Sequence, residues 1–425
     1  MGILLFLLYN ILFIPLLLLL VHLVAVFNKK VRHGLNGRYR LYQQLRRSGL
    51  LKSTAPRVVF HCASMGEFEH IKPFLLALRK KRPDYKIIVL FFSPSGFENI
   101  KQFAAVDLFL YAPLDWFFPV LRFFLTVKPS LWIIAKHDVW PNQLWVGRML
   151  KVPVFLINAS LHSQSSRLLW FSKPLHQLLY RNFTAILTVS ETDRNNFLQL
   201  VPPKMVQVAG DTKYDQVIVR RNESLKKHFL PAEFVKKRWV FVAGSTWPED
   251  HQRLIEPLKK LLQKYPDMLC IICPHEPDEG HLGELKKAFG GFEPYILLSE
   301  IERHQRERVL IVDRIGVLAN LYSFGKVAYV GGSFKQNIHN VLEPAVYGQP
   351  ILFGPVNNNS YEAQLLKAGG GAVEIHSAEE FYVQMEKFLK NDIYRQEAGR
   401  KAARVVEENK GATEKTITHI LQYLN

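Results

Sequence analysis

The chain of 425 residues is 48% hydrophobic and 22% charged, which excludes a disordered or low-complexity protein and leaves material for two or three domains. Three cysteines exclude a disulfide scaffold. Lys and Arg outnumber Asp and Glu by 55 to 37, a net charge of +18 that calls for an anionic partner or surface.

The charge is placed unevenly. Residues 1–66 contain no Asp or Glu, and Glu67 is the first carboxylate side chain in the sequence. Residues 2–27 form an apolar run broken only by Asn10, Pro15 and His22. As a helix these 26 residues reach about 39 Å, enough to cross a hydrocarbon core of about 30 Å. The flank Asn28-Lys29-Lys30-Val31-Arg32 is basic, so the positive-inside rule keeps it and all that follows in the cytoplasm. A cleaved signal peptide fits poorly, because the basic cluster lies after the apolar run. A retained anchor is expected, and Pro15 leaves a half-inserted, monotopic helix open. The basic segment 29–57 reads either as a headgroup contact or as a solvated linker.

From residue 58 onward, short apolar runs alternate with longer helical stretches. The runs are 58–62, 87–92, 131–135, 154–157 and 186–189, then 239–243, 269–273, 309–312, 327–330 and 351–353. Continuous apolar strands joined by helices predict parallel sheets covered on both faces, an α/β fold. The charged stretch 216–237 lacks such a run and reads as a linker between two doubly wound domains. A helical tail runs from about 377 to 424, with breaks near Asn391-Asp392 and at Gly411.

Sheets of this kind place ligand loops at the carboxyl ends of their strands. Four polar clusters sit there. The first is Ser64-Met65-Gly66-Glu67, where Glu67 enters the first turn of a helix; ionised and facing a cleft, it would take a proton from a sugar hydroxyl. Its structural alternative is a capping box with Ser64. The second is Lys136-His137-Asp138 ahead of Trp140-Pro141-Asn142, or else plain turn chemistry. The third is Gly244-Ser245-Thr246, read as a strand-to-helix turn that offers N–H groups and hydroxyls to a phosphate, or as an ordinary capped loop. The fourth joins Gly331-Gly332-Ser333 to His339-Asn340-x-x-Glu343. Here the glycines admit a ligand, Asn340 opens a helix, and Glu343 meets ribose hydroxyls.

Cys270-x-x-Cys273 lies inside a strand, where residues three apart face opposite ways, so it reads as core rather than as a metal or redox pair. No two Asp residues are separated by one residue, so the metal–diphosphate pair of many glycosyltransferases is absent and no metal or cofactor is expected. Two aromatic-basic stretches, 115–125 and 167–176, read as core-facing helices by default and otherwise as a lipid-facing surface.

Taken together, these motifs resemble the 3-deoxy-D-manno-octulosonic acid (Kdo) transferases of lipopolysaccharide assembly, along nearly the whole chain. The resemblance is carried by the anchor with its basic flank, Ser64-x-Gly66-Glu67, Pro113-x-Asp115, Trp140-Pro141-Asn142 and Asn158-Ala159-Ser160. It is also carried by Gly210-x-x-Lys213-x-Asp215, Gly331-Gly332-Ser333, His339-Asn340-x-x-Glu343 and Gly354-Pro355.

The resemblance implies a GT-B architecture, two Rossmann-like domains facing a cleft, behind an N-terminal membrane-anchoring helix. The segments would be an anchor at 1–28, an acceptor domain at 29–215, the linker at 216–237, a CMP-Kdo domain at 238–405, and a helix at 406–425 crossing back to the first domain. Glu67 would be the general base. Lys213, Ser245, Thr246, His275, Asn340 and Glu343 would surround the nucleotide, with Gly332, Ser333 and His339 beside them. Ser64, Gly66, Lys136 and Asp138 would meet the acceptor, a lipid A precursor at the cytoplasmic face of the inner membrane, and Arg38 and Arg40 would contact its phosphates. Transfer would invert the anomeric centre without a metal.

The chain departs from the family pattern at three places. Lys136-His137-Asp138 replaces Glu-x-Glu, His275 follows Pro274 without the family's intervening arginine, and Val317 follows Gly316 where the family has Glu. Two alternatives remain. One is another membrane-associated GT-B transferase, using a UDP-sugar and a lipid acceptor. The other is a membrane-tethered nucleic-acid-binding protein, which leaves the strand-end polar residues unexplained and predicts steeply salt-dependent binding.

Overall fold

The computed structural model describes residues 2–100, 102–227 and 229–424; His228, within the expected linker, lies outside the described residues. The chain forms two compact units, Met1–Gln216 with Lys410–Asn425, and Val217–Asn409. The stretch where they divide is helical, from Thr212 to Ser224.

In the first unit seven strands make one parallel sheet. They are β1 Arg57–Cys62, β2 Lys86–Phe91, β3 Leu108–Tyr111, β4 Leu131–Ala135, β5 Val154–Ala159, β6 Ala185–Thr188 and β7 Val206–Val208, ordered β3-β2-β1-β4-β5-β6-β7. The apolar runs are continuous because alternate residues feed different cores. On β4, Trp132 and Ile134 join Phe123 and Phe124, while Leu131 and Ile133 join Phe60 and Phe74 on the other face. The winding reverses between β1 and β4, so loops that follow these two strands meet at the switch point. The last helix, Ala412–Leu421, adds Ile417 and Ile420 to the core around Phe60 and Phe74. Asp215 holds its start by accepting from Gly411 N at 2.7 Å and Thr413 N at 2.6 Å.

The apolar segment Gly2–Phe27 is, among the described residues, the one helix long and apolar enough to cross a membrane. Residues Leu8–Phe13 form a π-helical turn. Pro15 lacks the N–H that would bond the Ile11 carbonyl, and the widened turn re-aims Tyr9 and Asn10. Tyr9 donates its hydroxyl to Asp115 at 2.8 Å. The Asn10 and Asn142 amides donate to each other at 3.1 and 3.0 Å, and Phe117 N donates to Asn10 Oδ1 at 3.1 Å. Phe6 packs edge-on against Phe117 and Trp145. The basic flank is folded too: helices Lys29–Tyr39 and Leu41–Arg47 follow, the second burying Leu41 and Leu45. The linker alternative for 29–57 is therefore set aside.

The second unit repeats the plan with β8 Trp239–Thr246, β9 Met268–Pro274, β10 Tyr295–Leu297, β11 Val309–Ile311, β12 Val327–Val330, β13 Ile351–Phe353 and β14 Ala372–Glu374. Their order is β10-β11-β9-β8-β12-β13-β14, all parallel, with the switch point between β8 and β12. Cys270 and Cys273 sit in different cores on opposite faces of this sheet, as their spacing on a strand requires.

All ten expected apolar runs lie on strands. The four strands absent from that reading, β3, β7, β10 and β14, are the four sheet edges. Each is only three or four residues long and half-exposed along part of its length, so none shows a continuous apolar run. The default reading of 167–176 as a core helix is corrected. Only Ser166–Leu168 and Lys173–Tyr180 are helical, and Trp170 and Phe171 between them are 85% and 64% exposed.

Candidate functional site

In the first unit β1 ends at Cys62 and Ser64 caps the helix Met65–Lys81, accepting from Glu67 N at 3.4 Å. Glu67 is buried, and its Oε2 accepts from Ala63 N at 2.5 Å. It therefore takes part in a cap, a variant of the capping box in which the carboxylate reaches one residue beyond Ser64. Burial pushes its carboxyl above the usual range. The Ala63 N–H opposes burial, the Asp138 charge adds to it, and Lys136 pulls the other way. Glu67, expected as an ionised carboxylate facing a cleft, is found buried in the first unit with Oε2 on the Ala63 N–H. Gly66 beside it is exposed, with only Ser64 Oγ near where a Cβ would stand.

The loop after β4 brings Lys136 and Asp138 to the same place. Lys136 adopts the left-handed region, with φ of 66°. Asp138 Oδ2 lies 2.8 Å from His61 Nε2 and accepts from Trp140 Nε1 at 3.1 Å. Behind His61, Gln143 Nε2 is 3.3 Å from Nδ1, and Gln143 Oε1 accepts from Trp132 Nε1 at 3.2 Å. An indole N–H can only donate, so it fixes the amide with its NH₂ toward Nδ1. The imidazole proton then sits on Nε2, facing Asp138. Burial alone would raise Asp138; the hydrogen bonds from His61 and Trp140 outweigh it and hold the carboxyl below its usual range. His61, Gln143 and Trp132 were missing from the sequence expectation. The available signal was a histidine inside the otherwise apolar run of β1.

Arg38 is turned inward: it donates to Gly34 O at 2.9 Å and to Phe92 O, and lies over the Phe92 and Tyr111 rings. Arg40 is exposed at the end of its helix. Lys213 belongs to the first unit and pairs with Asp211 at 3.2 Å.

In the second unit the third and fourth clusters meet at the β8/β12 switch point. Gly244-Ser245-Thr246 is strand rather than turn, because β8 keeps pairing with β9 as far as Thr246, with a bulge at Ser245 whose φ is 53°. Thr246 is buried, and its hydroxyl lies 2.9 Å from His251 Nε2. Trp247 precedes the helix Pro248–Lys264 as its N-cap and stacks on His275 at 4.8 Å, while its indole donates to His339 Nε2 at 3.0 Å. His275 and His339 stack at 4.2 Å. Burial and the neighbouring His275 lower His339 to about 4.

The glycine pair serves the chain itself. A Cβ on Gly331 would stand 2.3 Å from Ser245 O, and one on Gly332, whose φ is 86°, would stand 2.3 Å from Asn337 O. Asp250 accepts from Trp247 N at 2.8 Å, Gly332 N at 2.9 Å and the Tyr329 hydroxyl at 2.5 Å. Ser333 is buried and accepts from Gly354 N at 2.6 Å. At both glycines the approaching backbone is the chain's own, Ser245 on β8 and Asn337 in the loop after β12. The helix expected from Asn340 starts at Leu342 and is one turn long; Asn340 Oδ1 accepts from Leu342 N at 3.1 Å. Glu343 accepts from Arg220 at 2.8 Å and from Asn340 Nδ2 at 3.3 Å, beside a cavity of about 280 Å³ lined also by Lys227, Gly316 and Asn320. Among the described residues no group of three or more His, Cys, Asp or Glu is set to hold a metal ion.

Residues 33–216 match the family model described as 3-deoxy-D-manno-octulosonic-acid transferase (kdotransferase). A 3-deoxy-D-manno-octulosonic acid transferase of Haemophilus influenzae is 28% identical over 420 residues, covering 96% of each chain. One of Aquifex aeolicus is 28% identical over 343 residues, covering 80% of this chain and 88% of its own. The chain is similar to Kdo transferases along nearly its whole length.

Solved structures add the fold. A UDP-GlcNAc 2-epimerase of Neisseria meningitidis bound to UDP-GlcNAc matches with a TM-score of 0.57 at 15% identity, covering 87% of this chain and 99% of its own. A UDP-N-acetylglucosamine 2-epimerase of Listeria monocytogenes, putative by its description, matches with a TM-score of 0.57 at 13% identity, covering 83% and 94%. The architecture is GT-B, with two Rossmann-like units. The motif residues of the first unit do two kinds of work. Asp115, Asn142 and Asp215 fasten the first and last helices to the first unit. Glu67, Lys136 and Asp138 gather at that unit's switch point.

Proposed function

We propose that the protein transfers Kdo from CMP-Kdo to a lipid A precursor, with inversion and without a metal, at the cytoplasmic face of the inner membrane. The observation that carries this reading is a buried carboxylate, Glu67, at the switch point of a chain similar over 420 residues to a Kdo transferase. Glu67 accepts the proton of the acceptor's primary hydroxyl. The freed oxygen bonds the anomeric carbon of Kdo on the face away from CMP, the bond to phosphate breaks, and CMP leaves with its electron pair. The proton returns from Glu67 to solvent.

A base works best when its pKa approaches the working pH, and the upward shift of Glu67 is in that direction. Lys136 supplies a cation beside the reacting oxygen, where the family pattern has a carboxylate. On the second unit, Ser245, His275, His339, Asn340 and Glu343 receive the cytidylate, with Glu343 taking ribose hydroxyls. Thr246 and Ser333 support that wall from within. The apolar helix Gly2–Phe27 and the acid-free segment 28–57 suit an acidic, acylated acceptor. The test is donor choice: CMP-Kdo is consumed in the presence of acceptor and UDP-sugars are not. Consumption of a UDP-sugar instead would overturn the proposal.

A further inference from the structure

The N-terminal helix covers a cavity of about 470 Å³ within the first unit. Its walls include Leu8, Leu12, Val139, Trp145, Leu175 and Leu179. That volume falls in the range of small-molecule pockets. Tyr9, Trp145 and His176 are the lining residues with polar side-chain atoms; the Tyr9 hydroxyl is given to Asp115, and His176 Nδ1 lies 2.9 Å from Ser172 O. The chemistry that fits such walls is a hydrocarbon chain, which asks for no hydrogen bond.

Three observations identify the occupant. Val139, the residue after Asp138, and Pro141 line the cavity, so it adjoins the loop that carries Lys136 and Asp138. Ile3, Ile11 and Leu16 of the helix are exposed, as are Trp170 and Phe171, so the surface of the same unit is itself apolar. The basic, acid-free flank follows the helix and offers its charge to an anionic headgroup. The bonds of Tyr9 and Asn10 to Asp115 and Asn142 also bear on how the helix meets a membrane. A helix fastened to the fold near its start cannot stand across a bilayer while the unit remains outside it.

We propose that this cavity seats one acyl chain of the acceptor lipid, and that the helix lies in the membrane face rather than crossing it. The proposal rests on the reading of the acceptor as an acylated sugar. It adds a site for one chain, next to the loop that carries Lys136 and Asp138.

The test uses the full chain in phosphatidylglycerol–phosphatidylethanolamine vesicles. The probe is an acylated, bis-phosphorylated glucosamine disaccharide with a diazirine on one acyl chain. Irradiation is expected to label peptides carrying Val139–Trp145 and Leu175–Leu179, and unlabelled disaccharide lipid is expected to compete the label away. Equal labelling by a diazirine phosphatidylglycerol would assign the cavity to bulk lipid and overturn the proposal. So would labelling that avoids these peptides. Leu175→Trp, which narrows the cavity, is expected to raise KM for the acylated acceptor about tenfold and leave KM for CMP-Kdo unchanged.

Single cysteines in place of Ile3 and Lys30 are expected to react with a membrane-impermeant maleimide from the same side of the vesicle; reaction from opposite sides would overturn the in-plane helix. Kdo transfer is measured in the same vesicles. Transfer without labelling removes the cavity and leaves the function standing. Labelling without transfer removes the function and leaves the cavity standing.

Discussion

Glu67 does two things, and a pair of substitutions separates them. Glu67→Gln keeps an oxygen to accept from Ala63 N but removes the basic carboxylate; Glu67→Ala removes both. Loss of a cap acceptor costs about 1 kcal/mol. In a unit of this size that lowers Tm by about 2–4 °C. Glu67→Gln is therefore expected to melt close to the parent, and Glu67→Ala a few degrees lower. Turnover behaves differently. General base catalysis contributes roughly 10²–10⁴-fold, so both variants are expected to lose at least about a hundredfold in kcat and to keep their affinity for CMP. The assay is CMP release at saturating CMP-Kdo and acceptor, well below either Tm, with CMP affinity measured by calorimetry. If Glu67→Gln turns over like the parent, the carboxylate is a cap and not a base.

The acidic limb of the pH–rate profile should lie above the usual carboxyl range, with turnover falling as pH drops through the raised pKa of Glu67. Lys136→Met removes a cation that holds this pKa down, so the limb should move to still higher pH; an unmoved limb would separate Lys136 from the base. Burial pushes Asp115 up to about 6 from an ordinary 3.8, against hydrogen bonds from Tyr9 and Asn142. The unfolded chain releases this proton near 3.8 and the folded chain holds it to about 6, so stability falls as pH rises through that window, by an amount on the order of 3 kcal/mol. Asp115→Asn should abolish that fall, read as Tm against pH. Asn10→Leu leaves Asn142 Oδ1 and Phe117 N unpaired, while Asn142 Nδ2 keeps Asp115 O, and should cost roughly 1–3 kcal/mol. A parent-like Tm in that variant would show that the helix is not held by this amide.

The central strands were legible because burial on both faces leaves nothing but apolar residues, and all four edges escaped because they are short and partly wet. The positions of Ser64, Glu67, Lys136 and Asp138 followed from strand ends alone, since the switch point lies where β1 and β4 lie side by side. What each residue does there was less legible. The sequence marks Gly331 and Gly332 as points of close approach but does not say that the approaching backbone is the chain's own, at Ser245 and Asn337. It marks Thr246 as a hydroxyl at a strand end, but not that His251 claims it. Asn10 reads as an interruption in an apolar run because the partners that fasten it to the fold lie 107 and 132 residues away. Contacts at that separation have no local pattern, and they turn a free anchor into a fastened one.

The transferred group is the most direct test of the proposed function. Full-length protein in vesicles is given CMP-Kdo and an acylated, bis-phosphorylated glucosamine disaccharide, and the recovered lipid is weighed by mass spectrometry. The expected spectrum shows the lipid heavier by Kdo, with CMP released in proportion and no gain in mass with Glu67→Gln. A lipid of unchanged mass from folded, CMP-binding protein would contradict it.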